Sequence, residues 1–311
     1  MRFHRLDLNL LVALDALLTH QNVTKAAEQL NLSQSALSGA LARLREHFDD
    51  ELVVLVGRRM EPTPLAQSLA EPLHEVLLKT KALVMAKSSF DPLTSERRIS
   101  LVASDYAIEL LVTGVLRDMA QQAPHIRVVL EETTKEKFEK FDRGEINFII
   151  APDRQAFQRH PREYLFDEKY VCVVWTENTL VGESLSLDQY QTMPHIVRYS
   201  KGTLQTTFEQ RFLDQIGCPR NESVIVPSFT LVPKLVIGTD RIATVHARLA
   251  ELYSRVLPLR IVTPPFEFPI LRQVLQWHRH EESDPCFAWF RGMIKSAANL
   301  LTENSSMDRT R

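Results

Sequence analysis

Residues 24–45 read TKAAEQLNLSQSALSGALARLR, and this stretch decides the fold of the N-terminal part of the chain. Thr24 can cap a short helix that ends near Leu30. Asn31 suits a tight turn between two helices, because asparagine tolerates the left-handed backbone region. Ser33 can cap a following helix in which leucines recur every three or four positions on one face. The spacing predicts a helix-turn-helix.

The flanking residues extend this motif on both sides. Before it, Asp7 can cap a helix whose leucines form one apolar stripe between Leu10 and Leu18. After it, residues 51–60 predict a short hairpin with Gly57 near its tip and two arginines beside it. Together these features predict a winged helix-turn-helix over residues 1–62.

The last helix of the motif carries a polar stripe opposite its leucines. Such a helix can enter the major groove, where Gln and Ser side chains reach base edges and the helix N-terminus holds phosphates. Arginines of the hairpin would contact the minor groove or the backbone. The predicted DNA-binding residues are Thr24, Ser33, Gln34, Ser35, Ser38, Arg43, Arg45, Arg58 and Arg59. A plain helical module remains an alternative, since basic and acidic residues balance within residues 1–90.

A long helix is predicted over residues 63–90. Thr63 and Pro64 form a cap followed by proline at the first helical position. Apolar residues then recur every seven positions, a spacing typical of a seam between two helices, although Pro72 interrupts the series. We therefore expect a dimerisation helix, with packing on its own domain as the alternative. The seam positions are Leu69, Val76 and Leu83, with Leu73 and Thr80 as companions.

Beyond residue 90 the pattern changes. Short apolar runs alternate with helical patterns, which favours an α/β domain over residues 91–302, followed by a polar tail at 303–311. Ligands of open α/β sheets bind outside the carboxyl ends of the strands. In this half, the candidate effector-binding residues at predicted strand ends are Ser104, Asp105, Thr133 and Thr134.

Composition excludes several classes of protein. The chain has 311 residues, 44% of them hydrophobic, and a net charge of −2, which fits a globular chain of about two domains. It has no apolar run of about 18 residues and no signal-peptide core, so we expect a soluble cytoplasmic protein without membrane contact. Three widely spaced cysteines predict reduced, buried side chains.

Several segments resemble the LysR-type transcriptional regulators. Residues 26–38 (AAEQLNLSQSALS) and 41–44 (LARL) are similar to the helix-turn-helix signature of that family. Residues 6–11, 60–66 and 274–277 resemble the subgroup of nodulation-gene activators and naphthalene or salicylate regulators. The wing departs from the family pattern, in which Phe and Arg are usual where this chain has Val53 and Leu55.

The resemblance implies a regulator that binds promoter DNA as a dimer of dimers and affects access of RNA polymerase. Two subdomains would surround an effector cleft, as in periplasmic binding proteins, with subdomain one at 96–166 and 269–302 and subdomain two at 167–268. The effector would be a small aromatic acid or phenol, or a flavonoid if the chain is a nodulation-type activator. The cleft positions implied in subdomain two are Lys169, His195, Thr203, Phe229, Thr244 and His246.

An enzyme with a helical N-terminal module is the alternative from another class. No nucleophile-elbow, P-loop or dinucleotide-binding motif occurs, so we predict no catalytic residue, cofactor or metal site. His278 and His280 share one face of a predicted strand, but no third ligand is tied to them by spacing. A solute-binding protein would share the cleft but lack the helix-turn-helix.

Overall fold

The computed structural model of this chain describes residues 6–56, 59–85, 90–199 and 207–307. The chain forms two compact units, Met1–Lys87 and Ser88–Arg311. Among the described residues, no helix is both long enough and apolar enough to cross a bilayer.

The first unit has the predicted arrangement of helices and hairpin. Asp7 and Ser33 cap their helices through side-chain oxygens, and Asn31 has a φ of 54° in the turn, all as predicted. The prediction that Thr24 caps the second helix is wrong, because the side chain of Asn22 accepts the capping hydrogen bond there. The elements are α1 (Leu8–His20), α2 (Val23–Gln29), α3 (Gln34–Phe48), β1 (Val53–Val56), β2 (Arg59–Pro62) and α4 (Pro64–Met85).

Helix α4 divides its apolar residues between two environments. Leu73 is buried and Leu69 is partly buried in the core that α1, α2 and α3 share. Further along the helix, Val76 is 46% exposed and Leu83 is 77% exposed. The first half of the predicted seam therefore packs within its own unit, and only the later positions are exposed in a single chain.

The second unit contains two subdomains, as expected for a protein of the periplasmic-binding type. Subdomain one has a five-stranded sheet in the order β4-β3-β5-β12-β6, in which β3 runs parallel to β4 and β5. Its strands are β3 (Arg98–Val102), β4 (Arg127–Glu131), β5 (Phe148–Pro152), β6 (Arg162–Glu168) and β12 (Leu271–Trp277). Its helices are α5 (Asp105–Ala107), a π-helical turn (Ile108–Val112), α6 (Thr113–Gln122), α7 (Lys135–Asp142) and α11 (Pro285–Met307), with short 3-10 turns at Asp153–Gln155 and Arg279–Glu281.

Subdomain two is the chain between β6 and β12. Three strands pair in the order β10-β7-β11, and β8 pairs in parallel with β9. The strands are β7 (Tyr170–Trp175), β8 (Pro194–Arg198), β9 (Asn221–Val226), β10 (Ala243–His246) and β11 (Leu259–Val262). The helices are α8 (Leu187–Thr192), α9 (Phe208–Gln215) and α10 (Ala247–Ser254), with a 3-10 turn at Pro233–Val236.

The chain crosses between the subdomains twice, first at Lys169 and again between β11 and β12. Buried apolar residues of both subdomains belong to one continuous core around these crossings. Cys172, Cys218 and Cys286 are free thiols buried in the packing, as predicted.

Candidate functional site

Helix α3 presents polar side chains to solvent. Its leucines are buried, whereas Gln34, Ser35, Ser38 and Arg43 are all exposed. The Ser33 hydroxyl accepts a hydrogen bond from the Ala36 amide at 3.1 Å, which satisfies one of the unpaired N–H groups of the first turn. The exposed side chains near this N-terminus are short, so the helix can approach another surface closely.

Arg45 differs from its neighbours on α3 because its guanidinium is engaged within the unit. Its Nε donates to the Glu51 carbonyl at 2.9 Å, and its Nη2 donates to the Val53 carbonyl at 2.9 Å. Nη2 also lies 2.9 Å from a Glu51 carboxylate oxygen. The structure therefore places Arg45 as a support for the first wing strand, with its side chain still 36% exposed.

The wing is a short antiparallel hairpin. Val56 pairs with Arg59 at the end of the ladder, and Arg59 is exposed. Asp50 closes the base of the hairpin, since its Oδ1 accepts hydrogen bonds from the Leu52 amide and the Thr63 hydroxyl, each at 2.6 Å. The predicted wing residue Arg58 lies outside the described residues.

A cavity of about 330 Å³ lies between the two subdomains of the second unit. This volume lies within the range of about 300–1,000 Å³ that small-molecule sites occupy. Subdomain one contributes helix starts, strand ends and apolar side chains, namely Ser104, Tyr106, Thr133, Thr134, Lys135, Phe138, Glu139, Ile150, Ala151, Pro152, Gln155, Phe157, Leu271 and Gln273. Subdomain two contributes Tyr170, Arg198, Thr207, Phe208, Phe229 and His246.

Two helix starts border the cavity where β3 and β4 end. The Ser104 hydroxyl accepts from the Ala107 amide at 3.2 Å, and the Thr134 hydroxyl accepts from the Lys137 amide at 3.3 Å. Both side chains thus cap their helices while lining the cavity. This is the position that the strand-end argument predicted for polar residues of subdomain one.

One wall of the cavity is formed by aromatic rings from both subdomains. The ring of Tyr106 lies nearly parallel to the imidazole of His246, with ring centres 4.0 Å apart and 13° between the planes. Phe229 meets the same imidazole edge-on at 4.9 Å. Burial lowers the pKa of His246 to about 3, so the imidazole is uncharged at neutral pH. Tyr106 is fully buried and His246 is 2% exposed, so a ligand reaches this wall through the half-buried ring of Phe229.

A buried carboxylate fixes the Tyr106 ring through a hydrogen bond to its hydroxyl. Glu168 is 1% exposed, and the Tyr106 hydroxyl donates a hydrogen bond to its Oε2. Arg248 from subdomain two lies 3.4 Å away, measured from its Nη1 to the same oxygen. Burial raises the pKa of Glu168, and burial together with the neighbouring Glu168 charge raises the pKa of Tyr106 well above its ordinary value. Tyr106 is therefore a neutral, fixed part of the wall.

Asp105 links the subdomains next to this wall. Its Oδ2 accepts hydrogen bonds from the Ser228 hydroxyl at 2.6 Å, the Thr230 amide at 2.9 Å and the Thr230 hydroxyl at 3.0 Å. Burial acts to raise the pKa of Asp105, but these hydrogen bonds outweigh it, and the pKa lies below its ordinary value. Asp105 was predicted to contact the effector, but it does not line the cavity. It holds the loop that carries Phe229, which does.

Three other predicted cleft residues do not line the cavity, and one cannot be placed. Lys169 is exposed at the crossing between β6 and β7. His195 is fully buried, its Nε2 lies 2.5 Å from the Tyr190 carbonyl, and burial lowers its pKa to about 4. Thr244 is buried, and its hydroxyl lies 2.8 Å from the Tyr190 hydroxyl. Both therefore belong to the core of subdomain two. Thr203 lies outside the described residues.

Sequence reasoning missed the aromatic and cationic residues that define the cavity. Tyr106 stands two positions after Ser104, and Tyr170 stands next to Lys169, so strand-end reasoning reached their neighbours but not the residues themselves. Arg198 is the last residue of β8, and His195, which was predicted as a cleft residue, lies near the start of the same strand. Phe208 lies in the first turn of α9, and no sequence pattern distinguishes it from a packing residue.

Comparison with known proteins gives the same division of the chain. Residues 8–67 match the family model described as bacterial regulatory helix-turn-helix protein, lysR family. Residues 94–299 match the model described as LysR substrate binding domain. Nodulation protein D 1 of Bradyrhizobium diazoefficiens is 38% identical over 311 residues, which cover 100% of this chain and 99% of the relative. Nodulation protein D 1 of Bradyrhizobium elkanii is 39% identical over 301 residues, with 96% of each chain covered.

Solved structures agree with this assignment. A probable transcriptional regulator, PA0477 of Pseudomonas aeruginosa, is 28% identical, with a TM-score of 0.61 over 94% of this chain and 97% of that one. Full-length OxyR of the same organism has a TM-score of 0.66 at 16% identity, over 96% of each chain, which reflects a shared fold. The matched families are transcriptional regulators and not enzymes, so the enzyme alternative is excluded.

Proposed function

This chain belongs to the LysR family of transcriptional regulators, and we propose that a small aromatic molecule in the cavity between its two subdomains controls how it acts on promoter DNA. The observation that carries this proposal is the wall of aromatic rings that line the cavity from both sides. A ligand against the half-buried rings of Phe138 and Phe157 from subdomain one and of Phe208 and Phe229 from subdomain two contacts both subdomains at once. Ser104, Thr133 and Thr134 also line the cavity and supply polar groups to it.

The DNA-reading part of the proposal rests on the exposed surface of α3. Gln34, Ser35 and Ser38 reach base edges in the major groove, because they are exposed near the N-terminus of the helix. Arg43 and Arg59 contact phosphates, as do Ser33, Thr24 and Arg58 from the surrounding segments. Arg45, which was predicted to contact DNA, also positions the wing strand through its hydrogen bonds to the Glu51 and Val53 carbonyls.

Switching follows from the two-subdomain architecture. A ligand with higher affinity for one relative placement of the subdomains shifts the population toward that placement. In a dimer of dimers formed through α4, this shift alters the spacing between the paired winged helix-turn-helix units. The bend of the promoter and the access of RNA polymerase change with that spacing. The protein acts in this way as an activator in the cytoplasm.

The identity of the relatives bears on the effector. Proteins named nodulation protein D match this chain over nearly its whole length. This favours the nodulation-type alternative, in which the effector is a flavonoid, over a regulator of aromatic catabolism. Both alternatives require a planar aromatic ligand, and the cavity wall accommodates one.

The test combines ligand binding with DNA binding in the full chain. Aromatic acids, phenols and flavonoids are screened by thermal shift, because a ligand that binds only the native state raises the melting temperature. The best ligand is then titrated into a complex with promoter DNA from the neighbouring genes, followed by fluorescence anisotropy. We expect a ligand-dependent change in the complex that Phe229→Ala weakens. A chain that binds promoter DNA but responds to none of these compounds would contradict the aromatic-effector proposal and leave the family assignment standing.

A further inference from the structure

Arg198 is a cation in the cavity wall with few partners in the protein. Its Nε donates to the Pro227 carbonyl at 3.2 Å, and its guanidinium carbon lies 4.4 Å from the centre of the Phe229 ring. Over the described parts of the chain, no carboxylate lies within ion-pair distance of it. Residues 200–206, which follow it closely, include neither Asp nor Glu. Within the described ranges, the guanidinium therefore lines the cavity without a paired carboxylate.

Other partly buried arginines of this unit have carboxylate partners or several carbonyl partners. Arg97 pairs with Asp284 at 2.9 Å between Nη2 and Oδ2, and Arg248 pairs with Glu168. Arg260 donates to three backbone carbonyls. Burial without an anion disfavours the charged form, and burial lowers the pKa of Arg198 from its usual value. An arginine that stays charged in such a place is ready to receive an external anion.

The carboxylates near Arg198 do not serve as its ion-pair partner. The charge of Asp105 raises the pKa of Arg198, but the Asp105 carboxylate already accepts three hydrogen bonds from Ser228 and Thr230. Glu209 is buried, and burial raises its pKa. Glu132, the other carboxylate that acts on Arg198, is exposed to solvent.

The charged groups in the cavity lining itself are mostly positive. Arg198 and Lys135 are cations, whereas the carboxylate among the lining residues, Glu139, is exposed and paired with Lys135 at 3.7 Å. Arg154 is not a lining residue, but its guanidinium carbon lies 4.0 Å from the centre of the Phe208 ring, which is one. Arg198 is thus the cation of the lining that has no carboxylate partner among the described residues.

We propose that the cavity takes its aromatic ligand as an oxyanion that pairs with Arg198. The ring of the ligand lies among the half-buried aromatic side chains of the cavity, and a carboxylate or an acidic phenolate attached to it accepts hydrogen bonds from the guanidinium. This inference rests on the proposed function and specifies the ligand class of the same cavity. It also ties the ligand to the inter-subdomain link, because Pro227 and Phe229, which contact Arg198, lie in the loop that Asp105 holds.

The test measures binding of matched ligand pairs to the full chain by isothermal titration calorimetry. For the carboxylate source the pair is 4-hydroxycinnamate and its uncharged amide. For the phenolate source the pair is 7-hydroxyflavone and 7-methoxyflavone, measured above the phenol pKa. We expect the anion of at least one pair to bind about tenfold or more tightly than its neutral partner. The pair that displays this preference identifies the source of the anion.

Variants then connect the preference to Arg198. Arg198→Gln should reduce the ratio within the pair to less than about twofold, with the affinity for the neutral partner nearly unchanged. Arg198→Lys keeps the charge and should retain part of the preference. Arg241→Gln is the matched control, because Arg241 is a half-buried arginine of the same subdomain that does not line the cavity, and it should leave the ratio unaltered.

The outcomes separate this inference from the proposed function. If neutral aromatics bind as well as the anions, or if the preference survives in Arg198→Gln, the oxyanion inference is overturned and the aromatic-effector function stands. If neither member of either pair binds while promoter DNA is still bound, the inference and the aromatic-effector function both fail. If Arg198→Gln does not fold, the wild-type ratio and the Arg198→Lys ratio decide the question.

Discussion

Replacing Asp105 by alanine should disrupt the link between the two subdomains. The Oδ2 atom of Asp105 accepts three hydrogen bonds from Ser228 and Thr230, at 2.6, 2.9 and 3.0 Å. A hydrogen bond to a charged group contributes about 1.5–3 kcal/mol, and bonds that share one acceptor atom are not additive, so we expect a loss of about 2–4 kcal/mol in the free energy of unfolding. The loop that carries Phe229 would lose its anchor, so ligand affinity should fall in the same variant.

Urea unfolding of the full chain, monitored by tryptophan fluorescence, measures this loss. Because the hydrogen bonds lower the pKa of Asp105, its contribution is present above the ordinary carboxylate pKa and is lost only as pH falls through the lowered value. The difference between wild type and variant should therefore be the same at pH 6 and pH 8. Asp118→Ala is the control, since Asp118 is an exposed carboxylate on α6. A loss below about 1 kcal/mol, or a loss no larger than that of the control, would refute the role given to Asp105.

Three further predictions concern other parts of the chain. Arg43→Ala should weaken promoter binding and reduce its salt dependence by about one charge. Arg45→Ala should lower the free energy of unfolding by about 1–2 kcal/mol, because it removes hydrogen bonds that support the wing, and equal effects of the two variants on stability would contradict this difference between the two arginines. Leu83→Glu should shift the protein toward monomer in analytical ultracentrifugation, whereas Val256→Glu, at a similarly exposed apolar residue of the second unit, should not. His195, with a pKa of about 4, stays neutral in the folded chain, whereas the unfolded chain takes up a proton below its ordinary pKa, so stability falls as pH drops from about 6.5 toward 4. His195→Gln should reduce the loss of stability between pH 6 and pH 5 by about 1.2 kcal/mol, and an unchanged loss would contradict the burial.

The helix-turn-helix could be predicted from sequence because its determinants are local. A cap at Ser33, a left-handed turn residue at Asn31 and leucines at helical spacing depend on neighbours within one or two turns. The cap of α2 was misassigned for the same local reason. Asn22 and Thr24 are both good caps, and two positions separate them, which is the usual uncertainty of a helix boundary.

The hydrogen bonds of Arg45 and the lining of the cavity could not be predicted in this way. Helical spacing places Arg45 on the polar stripe, but its carbonyl partners at Glu51 and Val53 belong to a strand that returns to the helix through tertiary packing. The cavity joins residues as distant in sequence as Tyr106 and His246. Strand-end reasoning found the side of the sheet where the ligand site lies, but the inward direction of each side chain depends on how the two subdomains pack.

A footprint of the protein on the promoter region of the neighbouring genes tests the central claim most directly. DNase I protection is measured at moderate ionic strength, with and without the aromatic compound that most raises the melting temperature. We expect two protected half-sites. Their boundaries, or the positions of enhanced DNase I cleavage, should change when the compound is added, because occupancy of the cavity alters the spacing between the winged helix-turn-helix units. Protection that is absent in both conditions, or identical with and without a compound that binds the cavity, would contradict the account.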